Sequence, residues 1–228
     1  MKKTISLSLL FFILGVAARG AESVTVEQII AQAKSDPRNA ALVIEYAAED
    51  NPKLLLELVA AAVRELPEQA AAIVGGLMKA VSKQQAAADQ PPSPQQVARQ
   101  TQAQQEILST AIQARPERAA DITTFALALF PAKSTAFIQT AVAAVPAAQR
   151  AEFIQTAVAA VPAAQRAEFI QTAVAAVPAA QRAEIAALAT KVAVANPPSP
   201  SNVPAPLPAA SAVFPTQPVR PDLVSPSS

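Results

Sequence analysis

The chain has 228 residues, of which 52% are hydrophobic and only 4% aromatic, with a formal net charge of +1. It contains no cysteine, histidine or tryptophan, which excludes a disulfide framework, Ser-His or thiol catalysis, and histidine or thiolate zinc sites. A nearly neutral balance also argues against nucleic acid as a partner, because that affinity rests largely on phosphate neutralisation.

Residues 1–20 read MKKTISLSLLFFILGVAARG. Lys2 and Lys3 form a positive start, and Ile5 to Ala18 is an apolar stretch. As a helix it would reach only about 21 Å, short of the roughly 30 Å membrane core. Ala18 and Gly20 place small residues at −3 and −1, so the expectation is a signal peptide cut between Gly20 and Ala21. Val16-Ala17-Ala18 offers a competing cut. Removal takes Lys2, Lys3 and Arg19, leaving 15 basic and 17 acidic residues, a net of −2. No transmembrane segment is expected after the leader, and the protein is expected in the periplasm or outside the cell.

The next region, 21–83, reads as N-terminal helical repeats. The four glycines of the whole chain are too few for the turns of a sheet protein, and abundant alanine favours helix. Pro37, Pro52 and Pro67 recur every 15 residues. Proline suits the first helical position, where its missing N–H is not needed. Asp36, Asn51 and Ser93 stand before prolines as candidate caps. The pair Gly75-Gly76 is read as permitting a close helix crossing or a local kink. A polar Pro-containing linker at 84–93 follows.

Region 94–195 reads as C-terminal helical repeats. Pro116, Pro131 and Pro146 keep the step of 15, and Pro162 and Pro178 follow at 16. The sequence FIQTAVAAVPAAQRAE occurs identically at 137–152, 153–168 and 169–184, so tandem repeats at 137–184 govern the reading. One continuous kinked helix would turn Phe153 and Phe169 to different sides, since 16 residues advance about 160° beyond whole turns. Separate helices keep the copies equivalent, with Phe153, Ile154 and Val158 on one broad apolar face. Arg150 intrudes on that face, and is read as packing its stem while its head snorkels to water. After Pro178 the copy diverges, with Ile185 for Phe and Lys191 added, as expected of a terminal cap. Ten of the chain's 21 prolines fall in its last 32 residues, so 196–228 is expected to be a disordered Pro-rich tail.

The fold expected is therefore all-α, with Pro-punctuated helices stacked as an α-solenoid. It resembles the architecture of tetratricopeptide and HEAT repeats, without the Trp, Leu-Gly and Tyr signature of the former. That resemblance implies a scaffold for protein–protein contact. No cofactor or metal is expected, and no enzyme: Glu152, Glu168 and Glu184 pair in sequence with Arg150, Arg166 and Arg182, and Glu49-Asp50 ends a helix. The candidate interaction ridge is Arg150, Arg166 and Arg182 with Gln155 and Gln171, joined by Thr156 and Thr172. Three roles are expected in descending order: an exported interaction scaffold, a spacer or surface-layer component, and a membrane-surface amphipathic protein.

Overall fold

The computed structural model describes residues 24–86 and 93–195, all within one compact unit. The leader with its Gly20–Ala21 junction, the centre of the linker and the Pro-rich segment 196–228 lie outside the described residues. Ten α-helices and no strand are found among those residues. They are α1 (Val26–Ser35), α2 (Ala40–Asp50), α3 (Leu55–Glu65), α4 (Ala70–Ala86) and α5 (Pro94–Ala114). After them come α6 (Ala119–Leu129), α7 (Ser134–Ala144), α8 (Arg150–Ala160), α9 (Ala163–Ala176) and α10 (Ala179–Ala195).

Capping residues explain two of the starts. Thr25 Oγ1 accepts from the Gln28 N–H while the Thr25 N–H donates to Gln28 Oε1, a reciprocal box that opens α1. Ser93 and Gln96 repeat it at α5, ahead of Pro94. Asn51 behaves differently from the cap expected of it. Its amide donates back to the Ala47 carbonyl at 3.3 Å, closing α2 instead of opening α3. Asp36 Oδ2 accepts from the Asn39 side chain at 2.8 Å and caps no backbone N–H.

Two kinds of proline turn join the helices. Where the step is 15, the residue before proline has φ near −130° and proline opens a short 3₁₀ turn, as at Leu66 (φ −130°, ψ 58°) and Phe130 (φ −133°, ψ 63°). The pre-proline carbonyl then accepts from the second N–H after proline, as Leu66 does from Gln69 at 3.0 Å. The identical copies carry one more residue. Val145 and Val161 are extended (ψ 132° and 137°) as proline demands, and Pro146 and Pro162 stand just outside the helix with ψ near 142° and 141°. Here the proline carbonyl takes the N–H, from Gln149, Gln165 and Gln181 at 2.9 Å each.

Helices pack chiefly against their second neighbours. One row of contacts runs α1, α3, α5, α7, α9 and the other α2, α4, α6, α8, α10, with sequential neighbours touching between rows. Leu58, Ile73, Leu77, Ile107, Ile112, Ile122 and Phe137 are fully buried between them. The linker does not divide this packing, because α4 lies against both α5 and α6, and α3 against α5. A buried amide fastens the junction: Gln104 Nε2 donates to the Met78 carbonyl at 3.1 Å and Ser82 Oγ at 3.0 Å. Its Oε1 accepts from Lys133 Nζ at 2.7 Å. Partial burial pulls the Lys133 amine below its ordinary pKa. Every polar atom of the Gln104 amide is thereby bonded, which is the condition for burying it.

Candidate functional site

The proline register shows which residues are equivalent. The ninth residue after proline is Tyr46 in α2, Gly76 in α4 and Phe125 in α6. With the extra residue of the longer step, the matching positions are Thr156 in α8 and Leu188 in α10. These five helices form one row, so the position traces a strip along it. Tyr46 is 52% exposed and Phe125 39%, with Leu42 one turn before Tyr46 at 47%. In the other row, α3, α7 and α9 carry Ala61, Thr140 and Thr172 at this position.

Gly75 and Gly76 set the floor between the two aromatics. A Cβ on Gly75 would run into the Phe125 ring and come within 2.7 Å of Leu129 Cδ1. One on Gly76 would lie 3.2 Å from Glu45 Oε2. The glycines thus let α4 approach α6 on one side and α2 on the other, which is the close crossing expected of them. Lys83 Nζ donates to Glu45 Oε1 at 2.7 Å across the α2–α4 contact. That hydrogen bond, helped by the Glu45 charge and more weakly by Glu49, holds the Lys83 amine above its ordinary pKa. With Lys79 also exposed, the strip combines two aromatic rings, a bare glycine floor and charges of both signs.

The residues of the ridge are divided by the alternation of rows. Gln155 and Thr156 are exposed on α8, in the row of Tyr46 and Phe125, whereas Gln171 and Thr172 belong to α9 in the other row. The arginines have a local task. Arg150 Nε donates to the carbonyls of Val142 at 3.1 Å and Val145 at 3.3 Å. Arg166 Nε reaches the Val161 carbonyl at 3.0 Å, and Arg182 Nε that of Val177 at 3.1 Å. Helix ends leave carbonyls without intrahelical donors. The longer turn removes the backbone donor that serves this carbonyl in the shorter one, and arginine supplies it. The intrusion of Arg150 on the apolar arc is explained by this bond as well as by snorkelling.

Tyr46, Leu42 and Phe125 were not singled out by the sequence reading. A helical wheel counts them among core residues; only their register after proline sets them apart. Among the described residues no three acidic side chains gather to hold a metal ion, and no single helix is long and apolar enough to cross a membrane. No known protein family, curated protein or solved structure matches this chain.

Proposed function

We propose that this chain is an exported, non-catalytic α-solenoid that acts as a protein-interaction scaffold, binding through the strip of Leu42, Tyr46, Gly76 and Phe125. The observation that carries the reading is the exposure of Tyr46 and Phe125 on either side of a glycine floor. Exposed aromatics are favoured as binding anchors because they offer large contact area and lose little side-chain freedom. Second-neighbour packing in two rows supports the solenoid, since each helix then buries its face against units of the same kind. Export rests on residues 1–20, and predicts a mature chain beginning at Ala21, which intact mass of the secreted or periplasmic protein would test.

The binding test uses two baits against envelope and secreted extracts: the parent and the double variant Tyr46→Asp/Phe125→Asp. A partner held by the parent and lost by the variant, with helicity unchanged, supports the strip. A partner held equally by both sinks it.

A spacer role is the second reading, favoured by one observation. Residues 137–184 expose no large hydrophobic side chain, so the identical copies add length without adding an anchor. A membrane-surface role is the weakest reading, because the apolar faces of the helices are covered by neighbouring helices.

A further inference from the structure

The core is almost wholly apolar, and among the described residues Gln104 and Thr123 are the polar side chains buried in it. Gln104 is the inner end of a polar chain that runs outward to a lysine. Its amide nitrogen donates to the Met78 carbonyl and Ser82 Oγ of α4, and its Oε1 accepts from Lys133 Nζ at 2.7 Å. Gln100, one turn earlier on α5, offers the same amine a second carbonyl at 3.3 Å. Lys133 ends the turn Pro131–Lys133 that leads into α7, so one amine ties α5 to that turn.

This lysine differs from the others that the structure describes. Lys34, Lys53, Lys79, Lys83 and Lys191 are exposed, and Lys34 and Lys83 are ion-paired with Glu65 and Glu45. Lys133 is half-buried and takes part in none of the ion pairs among the described residues. The acidic groups on the elements around it are engaged elsewhere. Asp121 on α6 is paired with Arg118, Glu106 on α5 accepts from Gln102, and Glu168 on α9 accepts from Ser134. Arg99, also on α5, carries the same sign of charge. The Phe130 ring, 6.0 Å from Nζ, stands at the outer limit of a cation–π contact. Burial without a counter-charge raises the share of neutral amine. The cradle suits that form. A neutral amine has two N–H groups for the two glutamine carbonyls and keeps its lone pair, whereas an ammonium has a third N–H to satisfy.

We infer that Lys133 is a covalent acyl-acceptor site, at which an activated acyl group is captured as an amide. The Nζ lone pair attacks the acyl carbonyl carbon, and a C–N bond forms as the bond to the leaving group breaks. The leaving group departs with that electron pair, and the proton shed by Nζ passes to water. The neutral amine is the nucleophile here, and desolvation is one way in which a lysine is activated. The product carries no charge and keeps one N–H where two carbonyls were bonded. The tie between α5 and the turn before α7 is thereby weakened, and the modification reaches Gln104 inside the core. This inference does not depend on where the protein works or on the Tyr46 strip.

Competitive labelling of the full-length protein is the test. Acetic anhydride is added in deficit at neutral pH, and the occupancy of each lysine is read by peptide mass spectrometry. In the folded protein Lys133 is expected to be acetylated several-fold faster than the exposed Lys53 and Lys79, and in urea at the same rate as they are. Labelling of Lys133 no faster than theirs in the folded protein would overturn the inference. Gln100→Glu places a carboxylate beside the amine in nearly the same shape, with helicity checked by circular dichroism. It should slow Lys133 several-fold and leave Lys53 and Lys79 unchanged; an unaltered Lys133 would equally overturn the inference, since the cradle then does not activate the amine. In protein acetylated at Lys133, backbone amides from 100 to 104 should exchange with solvent several-fold faster than in the parent. Equal protection would remove the link from Lys133 to the core.

Discussion

At the ninth position after proline, α2, α4 and α6 carry Tyr46, Gly76 and Phe125, while the identical copies offer only threonine there. The same contrast runs through the polar contacts. In the divergent units, bonds leap from one helix to the next in its row: Lys34 to Glu65, Lys83 to Glu45, Arg118 to Glu68, and the Arg115 guanidinium to the Arg64 carbonyl at 2.7 Å. In the copies the arginines serve their own turns, and bonds along the row reach them from unrepeated residues, as from Ser134 Oγ to Glu168 at 2.6 Å and from Gln105 Nε2 to Thr140 Oγ1 at 3.1 Å. Divergent units are thus individually matched to their places. Identical units are interchangeable.

The largest consequence concerns deletion. Removing 153–168 leaves the later helices in nearly equivalent company, because the third copy shifts into the place of the identical second, and Glu184 takes the role of Glu168 toward Ser134. Stability in such arrays is approximately a sum of unit and nearest-neighbour contributions, so the shortened chain should still unfold cooperatively, only at a lower temperature. Removing 52–66 moves α4 into the row of α3. It deletes Glu65, the partner of Lys34, and parts α4 from α2, which breaks the Lys83–Glu45 pair and the close approach at Gly76. Thermal unfolding followed by circular dichroism should show no cooperative transition for this second deletion. A cooperative transition in both would dissolve the contrast.

Single substitutions at equivalent positions sharpen it. Gly75 and Gln155 share a register, so each can be given the other's residue. Gly75→Gln forces a side chain into Phe125 and Leu129, and overpacking of this kind costs roughly 1–3 kcal/mol. Gln155→Gly meets open solvent and loses only helix propensity, about 1 kcal/mol or less. Urea unfolding of both variants measures the difference; equal costs would mean that α4 and α8 are packed alike.

Much of this architecture was legible in the sequence. The proline steps and the identical copies placed the helices, and proline's effect on its predecessor foretold the extended Val145 and Val161. Which helix would lie beside which was not legible. A broad apolar face states how much surface must be covered, not by whom, so the alternation that separates Gln155 from Gln171 emerges only from packing. Asn51 was misread because its side chain has two carbonyl or amide ends within reach, and sequence cannot say which it serves. The aromatic strip escaped for a related reason: Tyr46 and Phe125 lie beside core positions, and exposure depends on the glycines of another helix.

The longer turn makes a smaller and more local prediction. Arg150→Ala removes the donor to two carbonyls, at a cost of about 1 kcal/mol for a half-exposed bond of this type. Its counterpart in a shorter turn, Ser134→Ala, leaves the backbone bond from Lys133 to Phe130 in place. Amide exchange should therefore quicken around Val142–Val145 in the first variant and stay unchanged around Phe130 in the second. Equal protection in both would remove arginine from the design of the longer turn.

The smallest effect is one of pH, and it falls on one side of the comparison. The hydrogen bond from Lys34 holds the Glu65 carboxyl below its ordinary value of 4.5, and that from Arg115 does the same for Glu117. A carboxyl whose folded pKa is depressed stabilises the fold above its unfolded value, and loses that contribution as pH falls through the folded one. Both side chains are about half-exposed, at 50% and 56%, so solvent screens the pairs and keeps the effect small. Acidification from neutral to below pH 4.5 should therefore loosen the ends of α3 and the turn at Pro116 first. Glu152 and Glu184, in the copies, have no salt bridge assigned to them, so α8 and α10 should respond less. Hydrogen exchange compared between neutral and acid pH reads both regions in one sample. Equal acid sensitivity along the chain would mean that the ion pairs of the divergent units contribute nothing to their fit.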